Sequence, residues 1–296
     1  MELKTFFRYL PLSDEDRRRG LYVSAGGYTL IPAHTPYPPT EHPPDHDFHW
    51  ERGRVLSAHQ IVYLSRGRGV FEADGRSPID VEAGDAFLLF PGAWHRYAPD
   101  PETGWDEHWF ECSGSYLKSL YREAGLVRER PVVRLGISDA FLRHFYEMAT
   151  EMEAERVGHQ AVLAAIATRV IAELGVLPRR HVFQNSDIGK TIDRAKAILV
   201  KQSDVSLNME DVAEQLNVGY TWFRRMFREY TGMSPGHYHL QLRLNRAQSL
   251  LQNTNLTVSQ IAHATGFTTE RYFIRIFREK IGQTPGALRK KCRSEE

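Results

Sequence analysis

The chain has 296 residues, of which 42% are hydrophobic and 25% are charged, and its formal net charge at pH 7 is only +1. This length and composition predict a globular protein with more than one domain, and they exclude a disordered or low-complexity chain. Residues 186–296 nevertheless carry a net charge of +6 (17 Lys+Arg against 11 Asp+Glu) and the rest −5, which predicts a basic C-terminal domain joined to an acidic N-terminal one.

The first twenty residues contain an aromatic cluster and a charged run, but no long apolar segment for export or membrane insertion. We therefore expect a cytoplasmic protein without a membrane partner. The two cysteines, Cys112 and Cys292, fall in different predicted domains and lack the spacing of zinc ligands. They are expected to be free thiols in a reducing compartment.

Short β-rich runs separated by turns occupy residues 21–112, and we assign residues 1–112 to the first domain. Strands are predicted at 22–31, 60–65, 69–73, 79–81, 86–90 and 106–112, with a hairpin turn at 67–69. These runs predict a small β-barrel or sandwich. A stiff loop that could cover the mouth of a barrel is predicted from five prolines: Pro36, Pro38, Pro39, Pro43 and Pro44.

A short motif resembles the second motif of cupin barrels, and it consists of Gly84, Asp85, Pro91, Gly92 and His95. The resemblance implies a cupin-like barrel. Cupin enzymes add two alternating histidines and a glutamate to hold a metal. Counting back from Gly67, those places hold Arg54, Leu56 and Gln60. Since His95 alone cannot supply three or four ligands, we predict neither a metal nor a cofactor.

The remaining histidines of this domain have spacings that match no familiar ligand set; they are His34, His42, His46, His49, His59 and His108. A serine–histidine–aspartate order, a nucleophile elbow and a phosphate-binding loop are also missing from the sequence. No catalytic residue is therefore assigned.

Residues 113–175 are predicted to form helices, at 115–124, 139–155 and 160–174. The two longer helices have apolar stripes, made of Phe141, Phe145, Met148 and Met152 and of Leu163, Ile166, Ala167, Val170, Ile171 and Leu174. Such stripes either cover the barrel or pair with a second subunit, and the residues alone favour neither. A linker is predicted at 176–187.

Residues 188–296 contain one pattern twice, about fifty residues apart. The first copy has Phe223, Arg225, Phe227, Arg228, Glu229, Gly232, Pro235 and Gly236; the second has Phe273, Arg275, Phe277, Arg278, Glu279, Gly282, Pro285 and Gly286. Such identities at one constant offset predict a repeated helix-turn-helix unit.

Each copy predicts a short first helix, with Asn208 or Thr257 as its N-cap, and a second helix that ends at a glycine. The buried side chains of the second helices are expected to be Phe223, Met226, Phe227 and Tyr230 in copy one and Phe273, Ile276 and Phe277 in copy two. A further helix, from Pro235 to about Leu251, is expected to join the copies.

The outward faces of the two second helices are predicted to be basic. Copy one presents Thr221, Arg224, Arg225 and Arg228, and copy two presents Glu270, Arg271, Ile274, Arg275 and Arg278. Such a helix fits a DNA major groove, where arginine can donate two hydrogen bonds to a guanine edge. One such face could be merely solvated, but two with the same chemistry favour double-stranded DNA as a partner.

The repeated Phe-x-Arg-x-Phe-Arg and Gly-x-Ser/Thr-Pro-Gly sequences resemble the DNA-binding domain of the AraC/XylS family of bacterial transcription regulators. The resemblance implies that both second helices enter successive major-groove segments, with Thr221, Arg224 and Arg225 from one and Glu270, Arg271 and Arg275 from the other. Ile274 departs from the usual polar residue, so we expect a thymine-methyl contact there or none. The resemblance also implies a homodimer with its interface in residues 113–175, and a contact with RNA polymerase.

Arabinose-binding members of this family hold their effector in the N-terminal barrel. Aligned on Gly67, Glu51 and Arg52 fall where those members carry an acidic residue and a ligand-binding arginine. Residues 105–109 resemble their pair of tryptophans enclosing a histidine, but Glu107 replaces that histidine. The resemblance implies a monosaccharide effector bound by Tyr28, Arg52, Trp94, His95, Glu107 and Trp109. Alternatively, the tryptophans belong to the core and Arg52 makes a surface ion pair.

We therefore predict an α+β protein with a cupin-like effector-sensing barrel at 1–112, a helical dimerisation segment at 113–175, a linker at 176–187 and a DNA-binding domain at 188–296. Its predicted function is transcription regulation in response to a small ligand, with a sugar as the expected ligand. One alternative is a cupin-type metal-dependent isomerase or dioxygenase with a DNA-binding appendage. Another is a constitutive DNA binder whose barrel is only a scaffold.

Overall fold

The computed structural model describes residues 5–37, 50–183 and 186–293. They belong to two compact units, Met1–His181 and Val182–Glu296. The first unit is built on an antiparallel sheet, and the regular elements described in the second are helices. The predicted α+β fold class is thereby confirmed.

Strands and helices alternate irregularly along the first part of the chain. In order they are β1 (Phe6–Tyr9), α1 (Asp14–Arg18), β2 (Tyr22–Ile31), β3 (Arg54–Val55), β4 (His59–Ala73), β5 (Ile79–Glu82), β6 (Asp85–Leu89), β7 (Trp94–Pro99), β8 (Trp105–Ser113), α2 (Leu117–Ala124), β9 (Val132–Arg134), α3 (Asp139–Ala154) and α4 (His159–Phe183).

The long strand β4 organises the sheet. Its first half pairs antiparallel with β6 and β8, and its second half pairs antiparallel with β5 and β7. The other ladders join β1 to β2, β2 to β8, β6 to β9 and β3 to β7. Because β4 belongs to both halves, the sheet folds over itself and encloses an apolar interior; we call this folded sheet the barrel.

Gly67 lies within β4, so the predicted hairpin turn at 67–69 was wrong. Its φ is +79°, and a Cβ at this position would lie 2.0 Å from the carbonyl oxygen of Gly104. A register shift between Leu64 and Arg66 marks a bulge in the pairing with β8. Glycine in a strand interior often marks such a bend or close approach, and the sequence does not distinguish it from a turn glycine.

Side chains alternate between the two faces of the sheet. The enclosed face packs a core that includes Val62, Phe71, Phe87, Trp105 and Trp109. The outer face packs against the helices, in a core that includes Phe141, Phe145, Met148 and Met152 of α3 and Leu163, Ala167, Val170, Ile171 and Leu174 of α4. The predicted stripes therefore cover the barrel.

Helix α4 is longer than predicted and continues to Phe183, through Pro178 and across much of the expected linker. The stretch His159–Pro178 is long and apolar enough to cross a membrane, by length and composition alone, with 28% of the apolar window buried. A single helix of this kind is weak support for a membrane span, because core helices of soluble proteins also have such compositions.

The second unit contains seven helices within its described residues. They are α5 (Asp187–Lys201), α6 (Met209–Gln215), α7 (Tyr220–Thr231), α8 (Pro235–Asn253), α9 (Val258–Ala264), α10 (Glu270–Ile281) and α11 (Pro285–Arg293). One core lies between α5, α6 and α7, and another lies between α8, α9, α10 and α11. The repeat is thus two helical bundles joined by α8.

The predicted helix ends of the repeat are confirmed. Asn208 and Thr257 are the N-caps of α6 and α9, and Thr257 forms a capping box with Gln260. Gly232 and Gly282, with φ of +79° and +85°, end α7 and α10 in the left-handed conformation that glycine adopts most easily. Helix α5, which completes the first bundle, was not predicted.

Candidate functional sites

The outer face of α7 presents the predicted set of polar and basic side chains. Thr221, Arg224, Arg225 and Arg228 are all exposed, whereas Phe223 and Phe227 on the opposite face are 0% exposed. The expected burial of Tyr230 was wrong, since this residue is 36% exposed. Its position in the last turn of α7 takes it beyond the core, where its ring packs against Phe183 with centroids 5.3 Å apart.

Helix α10 presents a similar face. Glu270, Arg271, Arg275 and Arg278 are exposed, and Ile274 is half-buried against the second core. An open groove runs along this face, lined by Arg271, Ile274, Arg275, Arg278, Glu279 and Thr284. Three guanidinium groups therefore border this groove, and the half-buried side chain of Ile274 lies among them.

The interior of the barrel contains a group of polar side chains beside the aromatic ones. Strand β8 directs Trp105, Glu107 and Trp109 inward, at 0%, 4% and 6% exposure. Thr29 of β2, which is paired with Glu107 in the register, is 2% exposed and faces the same interior. His95 of β7 is 1% exposed.

Arg54 is the cation of this interior. Its Nη2 donates to the hydroxyl of Tyr97 at 2.7 Å and to Oε1 of Gln60 at 3.2 Å. Its Nε donates to Nε2 of His95 at 3.2 Å. His95 therefore accepts at Nε2, and its Nδ1 donates to the Ala93 carbonyl at 3.1 Å. Burial, together with the charge of Arg54, lowers the pKa of His95 to about 4, so this ring is neutral at physiological pH.

Glu107 is buried, but one of its carboxylate oxygens, Oε2, has no hydrogen bond of normal geometry among the described residues. Burial raises its pKa to about 7, and the positive charge of Arg54 opposes that rise. Thr29 and Trp105 are near enough to lower the pKa as well. Yet Oε2 of Glu107, Nε1 of Trp105 and Oγ1 of Thr29 are all buried without a hydrogen-bond partner in the part of the chain that the structure describes. Unpaired polar atoms in an enclosed space are costly unless a ligand or water completes them.

Both units match known protein families. Residues 34–205 match the AraC-like ligand binding domain, which is more than half of the chain, and residues 212–291 match a helix-turn-helix domain. The chain belongs to the AraC family. It is accordingly a DNA-binding transcription regulator with a ligand-binding domain, and as a regulator of this family it is intracellular.

Three relatives illustrate the relationship. The Msm operon regulatory protein of Streptococcus mutans is 26% identical over 79% of this chain and 84% of its own length. The transcriptional activator RhaR of an Enterobacter species is 36% identical over 79% of this chain and 85% of its own. The arabinose operon regulatory protein of Salmonella typhimurium is 22% identical over 83% of this chain and 88% of its own.

The structure of this AraC-family regulator places three of the six predicted effector-binding residues away from the barrel interior. Arg52 is exposed in the turn before β3, and its backbone carbonyl accepts the indole N–H of Trp94 at 2.8 Å. Trp94 precedes the inward His95 and so lies on the opposite face of β7. Tyr28 pairs with His108, and both face outward against Tyr146 of α3, with ring centroids 5.6 and 5.4 Å from it.

The other three predicted residues, His95, Glu107 and Trp109, do meet in the interior. Sequence reasoning missed Arg54, Thr29, Gln60, Tyr37 and Tyr97 as their companions. The strand alternation around Glu107 and His95 was the available signal. It places residues 95 and 97 on one face of their strand and residues 105, 107 and 109 on one face of theirs, and both faces turn toward the interior. Alignment on Gly67 concealed it, since that glycine is a bend within β4 rather than a turn.

Metal ligands do not assemble among the residues that can be described: in 5–37, 50–183 and 186–293, three or more His, Cys, Asp or Glu side chains never approach in a way that could hold an ion. His42, His46 and His49 lie outside these ranges, as do Pro38, Pro39, Pro43 and Pro44. Beside His95, the place next to Nε2 is taken by the guanidinium of Arg54, whose charge disfavours a second cation.

Proposed function

We propose that the chain is a cytoplasmic, dimeric regulator that reads operator DNA with α7 and α10 and responds to a sugar bound inside the barrel. The observation that supports the effector site best is the set of unpartnered polar atoms on Glu107, Trp105 and Thr29. Glu107 is close enough to Arg54 to feel its charge, Thr29 and Trp105 lie close to Glu107, and Trp105 belongs to the enclosed aromatic core.

The two exposed arginine faces support base readout. Arginine can donate two parallel hydrogen bonds to the O6 and N7 atoms of guanine, whereas its contacts with phosphate carry no sequence information. In this proposal Thr221, Arg224, Arg225 and Arg228 of α7 enter one major-groove segment. Glu270, Arg271, Arg275 and Arg278 enter the next, and the exposed part of Ile274 contacts a thymine methyl group.

The interior chemistry suits a neutral polyol. The ring faces of Trp105, Trp109 and Tyr97 can pack against the C–H groups of a sugar. Arg54 donates, and a carboxyl group with its pKa near 7 can either donate or accept. A sugar hydroxyl needs both kinds of partner. The family relationship to an arabinose operon regulator points to the same ligand class.

A homodimer is supported by the side of α4 that faces away from the barrel. Val162 and Val176 are 46% and 38% exposed there. The composition of the helix, by contrast, is apolar enough for a buried core helix. Burial of such a face against the same face of a second subunit would remove apolar surface from water. A dimer also matches the two-fold arrangement of many operators.

The proposal also excludes an enzymatic role. A cupin-type isomerase or dioxygenase would need a bound metal, and Arg54 stands beside His95 in place of a ligand. Metal analysis of the purified protein should find no stoichiometric ion. A stoichiometric metal that depends on His95 would favour the enzyme instead.

Two neighbouring arginines allow a matched test of the effector site. We expect that at least one monosaccharide in a panel raises the thermal stability of the full-length protein, because a ligand that binds only the folded state stabilises it. Arg54→Lys should weaken that ligand at least about tenfold, since an ammonium cannot replace the several directed N–H groups with which the guanidinium holds Tyr97, Gln60 and His95 around the site. Arg52→Ala, an exposed control, should bind like the wild type. Equal effects of both substitutions would place the ligand elsewhere.

A further inference from the structure

The second bundle of the DNA-binding unit contains a row of cationic and aromatic groups that leads from its core to its DNA-facing surface. The row begins at Arg243 of α8, which is only 8% exposed. Its Nε donates to the carbonyl of Thr265 at 2.7 Å, and its guanidinium carbon lies 4.1 Å from the ring centroid of Phe267. Arg243 thus fastens the turn between α9 and α10 to the long helix α8.

The aromatic part of the row reaches the surface. Phe267 is 2% exposed, and its ring centroid lies 6.1 Å from that of Tyr272 in the first turn of α10. Tyr272 is 43% exposed. One turn further along, the guanidinium carbon of Arg275 lies 5.3 Å from the Tyr272 ring centroid. The row therefore runs from the buried Arg243 through the rings of Phe267 and Tyr272 to the exposed Arg275.

The first copy of the repeat lacks this arrangement. Val218 stands in the place of Phe267, so no ring lies in the turn before α7. Trp222 stands in the place of Tyr272, but it is half-buried against the first core. Among the residues that the structure describes, Arg225 makes no cation–ring contact corresponding to that of Arg275.

We propose that Tyr272, supported from beneath by Phe267 and Arg243, is a positioning residue that holds Arg275 ready to read a guanine edge. This inference rests on the proposed base readout by Arg275. A free arginine loses much side-chain freedom when it forms two parallel hydrogen bonds, and a ring beneath its plane removes part of that freedom in advance. The ring attracts the charge of the guanidinium without accepting directed hydrogen bonds from all of its N–H groups, so those groups stay available for DNA.

A second side chain could hold Arg275 instead. Glu279 lies one turn further along α10 and interacts electrostatically with Arg275, as well as with its neighbour Lys280. A carboxylate would engage the same N–H groups that a base must bind, whereas a ring does not. The two explanations therefore assign the loss of sequence discrimination to different substitutions, Tyr272→Leu in one case and Glu279→Gln in the other.

To test this, full-length protein is used to select binding sites from a library of randomised DNA duplexes. The measured quantity is the ratio of its affinity for a selected duplex to its affinity for a shuffled duplex. Tyr272→Leu should reduce this ratio about two- to fivefold, the value of an exposed cation–ring contact. Tyr272→Phe keeps the ring and should stay within about twofold of wild type. The bases whose selection weakens in Tyr272→Leu should be the same ones that weaken in Arg275→Ala.

The double variant separates positioning from a general loss of structure. In an Arg275→Ala background, Tyr272→Leu should have no further effect on the ratio. The inference would be overturned if the losses of the two single variants add in the double variant, or if Tyr272→Leu weakens binding to the selected and the shuffled duplex equally. It would also be overturned if Tyr272→Phe loses as much discrimination as Tyr272→Leu, or if Glu279→Gln causes a loss that Tyr272→Leu does not. If Arg275→Ala leaves the selected sequence unchanged, the proposed base readout fails at that residue, which is a separate result.

Discussion

In the proposed effector site, Glu107 is the residue whose surroundings most restrict the ligand. With its pKa raised to about 7 by burial, it is partly protonated at neutral pH, while Arg54 beside it stays charged. An anionic ligand would compete with this carboxylate for Arg54, and a cationic one would meet the guanidinium. A neutral ligand with hydroxyl groups fits both partners.

The raised pKa of Glu107 predicts a pH dependence of stability. The pKa of Glu107 in the folded protein is above its ordinary value of 4.5, so the folded state holds this proton more tightly than the unfolded state does. The resulting stabilisation is complete below pH 4.5 and is lost as pH rises through 7. His59, His95 and His108, whose pKa values burial lowers to about 4, act in the opposite direction, because their contribution to stability increases as pH rises through 6.5. Together they offset the loss from Glu107 in the wild type, so the effect of Glu107 has to be measured against a variant without its carboxyl group. Between pH 6.5 and 8, the free energy of unfolding of the wild type should fall relative to that of Glu107→Gln by on the order of 1 kcal/mol.

Urea unfolding of the full-length protein at pH 6.5 and 8, followed by tryptophan fluorescence, measures this change. Glu107→Gln cannot titrate at this position, so in the sensor-domain transition the wild type should become less stable relative to the variant as pH rises from 6.5 to 8. The same pH dependence in wild type and variant would show that Glu107 does not titrate in this range.

Among the elements, helix ends could be predicted from the sequence, whereas the bend of β4 could not. The caps of α6 and α9 and the glycines after α7 and α10 act within a few residues, so the sequence alone located those helix ends. The bend of β4 at Gly67 depends instead on the approach of Gly104, 37 positions away in the numbering. Nothing near Gly67 in the sequence specifies that approach, and the exposed position of Arg52 was not foreseen for the same reason.

The two reading helices are predicted to be unequal. Helix α7 exposes three arginines without an acidic residue among its predicted contacts, whereas Glu270 and the half-buried Ile274 share the corresponding face of α10. Attraction to DNA phosphates grows with net positive charge, so α7 should contribute more to affinity. Arg225→Ala should weaken binding to a selected duplex by about 1–3 kcal/mol, and Arg275→Ala by less.

Titration of both variants against the selected duplex at several salt concentrations measures this difference. A larger loss from Arg275→Ala would contradict the ranking. A shallower salt dependence in either variant would identify that arginine as a phosphate contact rather than a base reader.

For the whole molecule, the sensor and the DNA reader lie in different units of one chain, and α4 is the helix that runs from the barrel core to the start of the second unit. Its residues 163–174 pack on the sheet, while Phe183 at its end packs against Tyr230 of α7. A ligand can change DNA binding only to the extent that it favours one state of the protein over another. In the proposed function, the covalent connection through α4 would carry such a difference from the sensor to the unit that contains α7.

That coupling must be reciprocal if the barrel binds the effector. When a sugar changes affinity for the selected duplex by some factor, the duplex must change affinity for the sugar by the same factor, on the order of 5- to 150-fold for ordinary couplings. Calorimetric titration of sugar into the protein, alone and saturated with duplex, measures one side of this relation, and DNA titration with and without sugar measures the other. Glu107→Gln should reduce both shifts together and leave sugar-free DNA binding unchanged, because residue 107 lies in the barrel core and outside residues 188–296. A variant that loses sugar-free DNA binding would mean that Glu107 serves the fold, and unequal factors would show that a second equilibrium, such as subunit association, is linked to one of the two ligands.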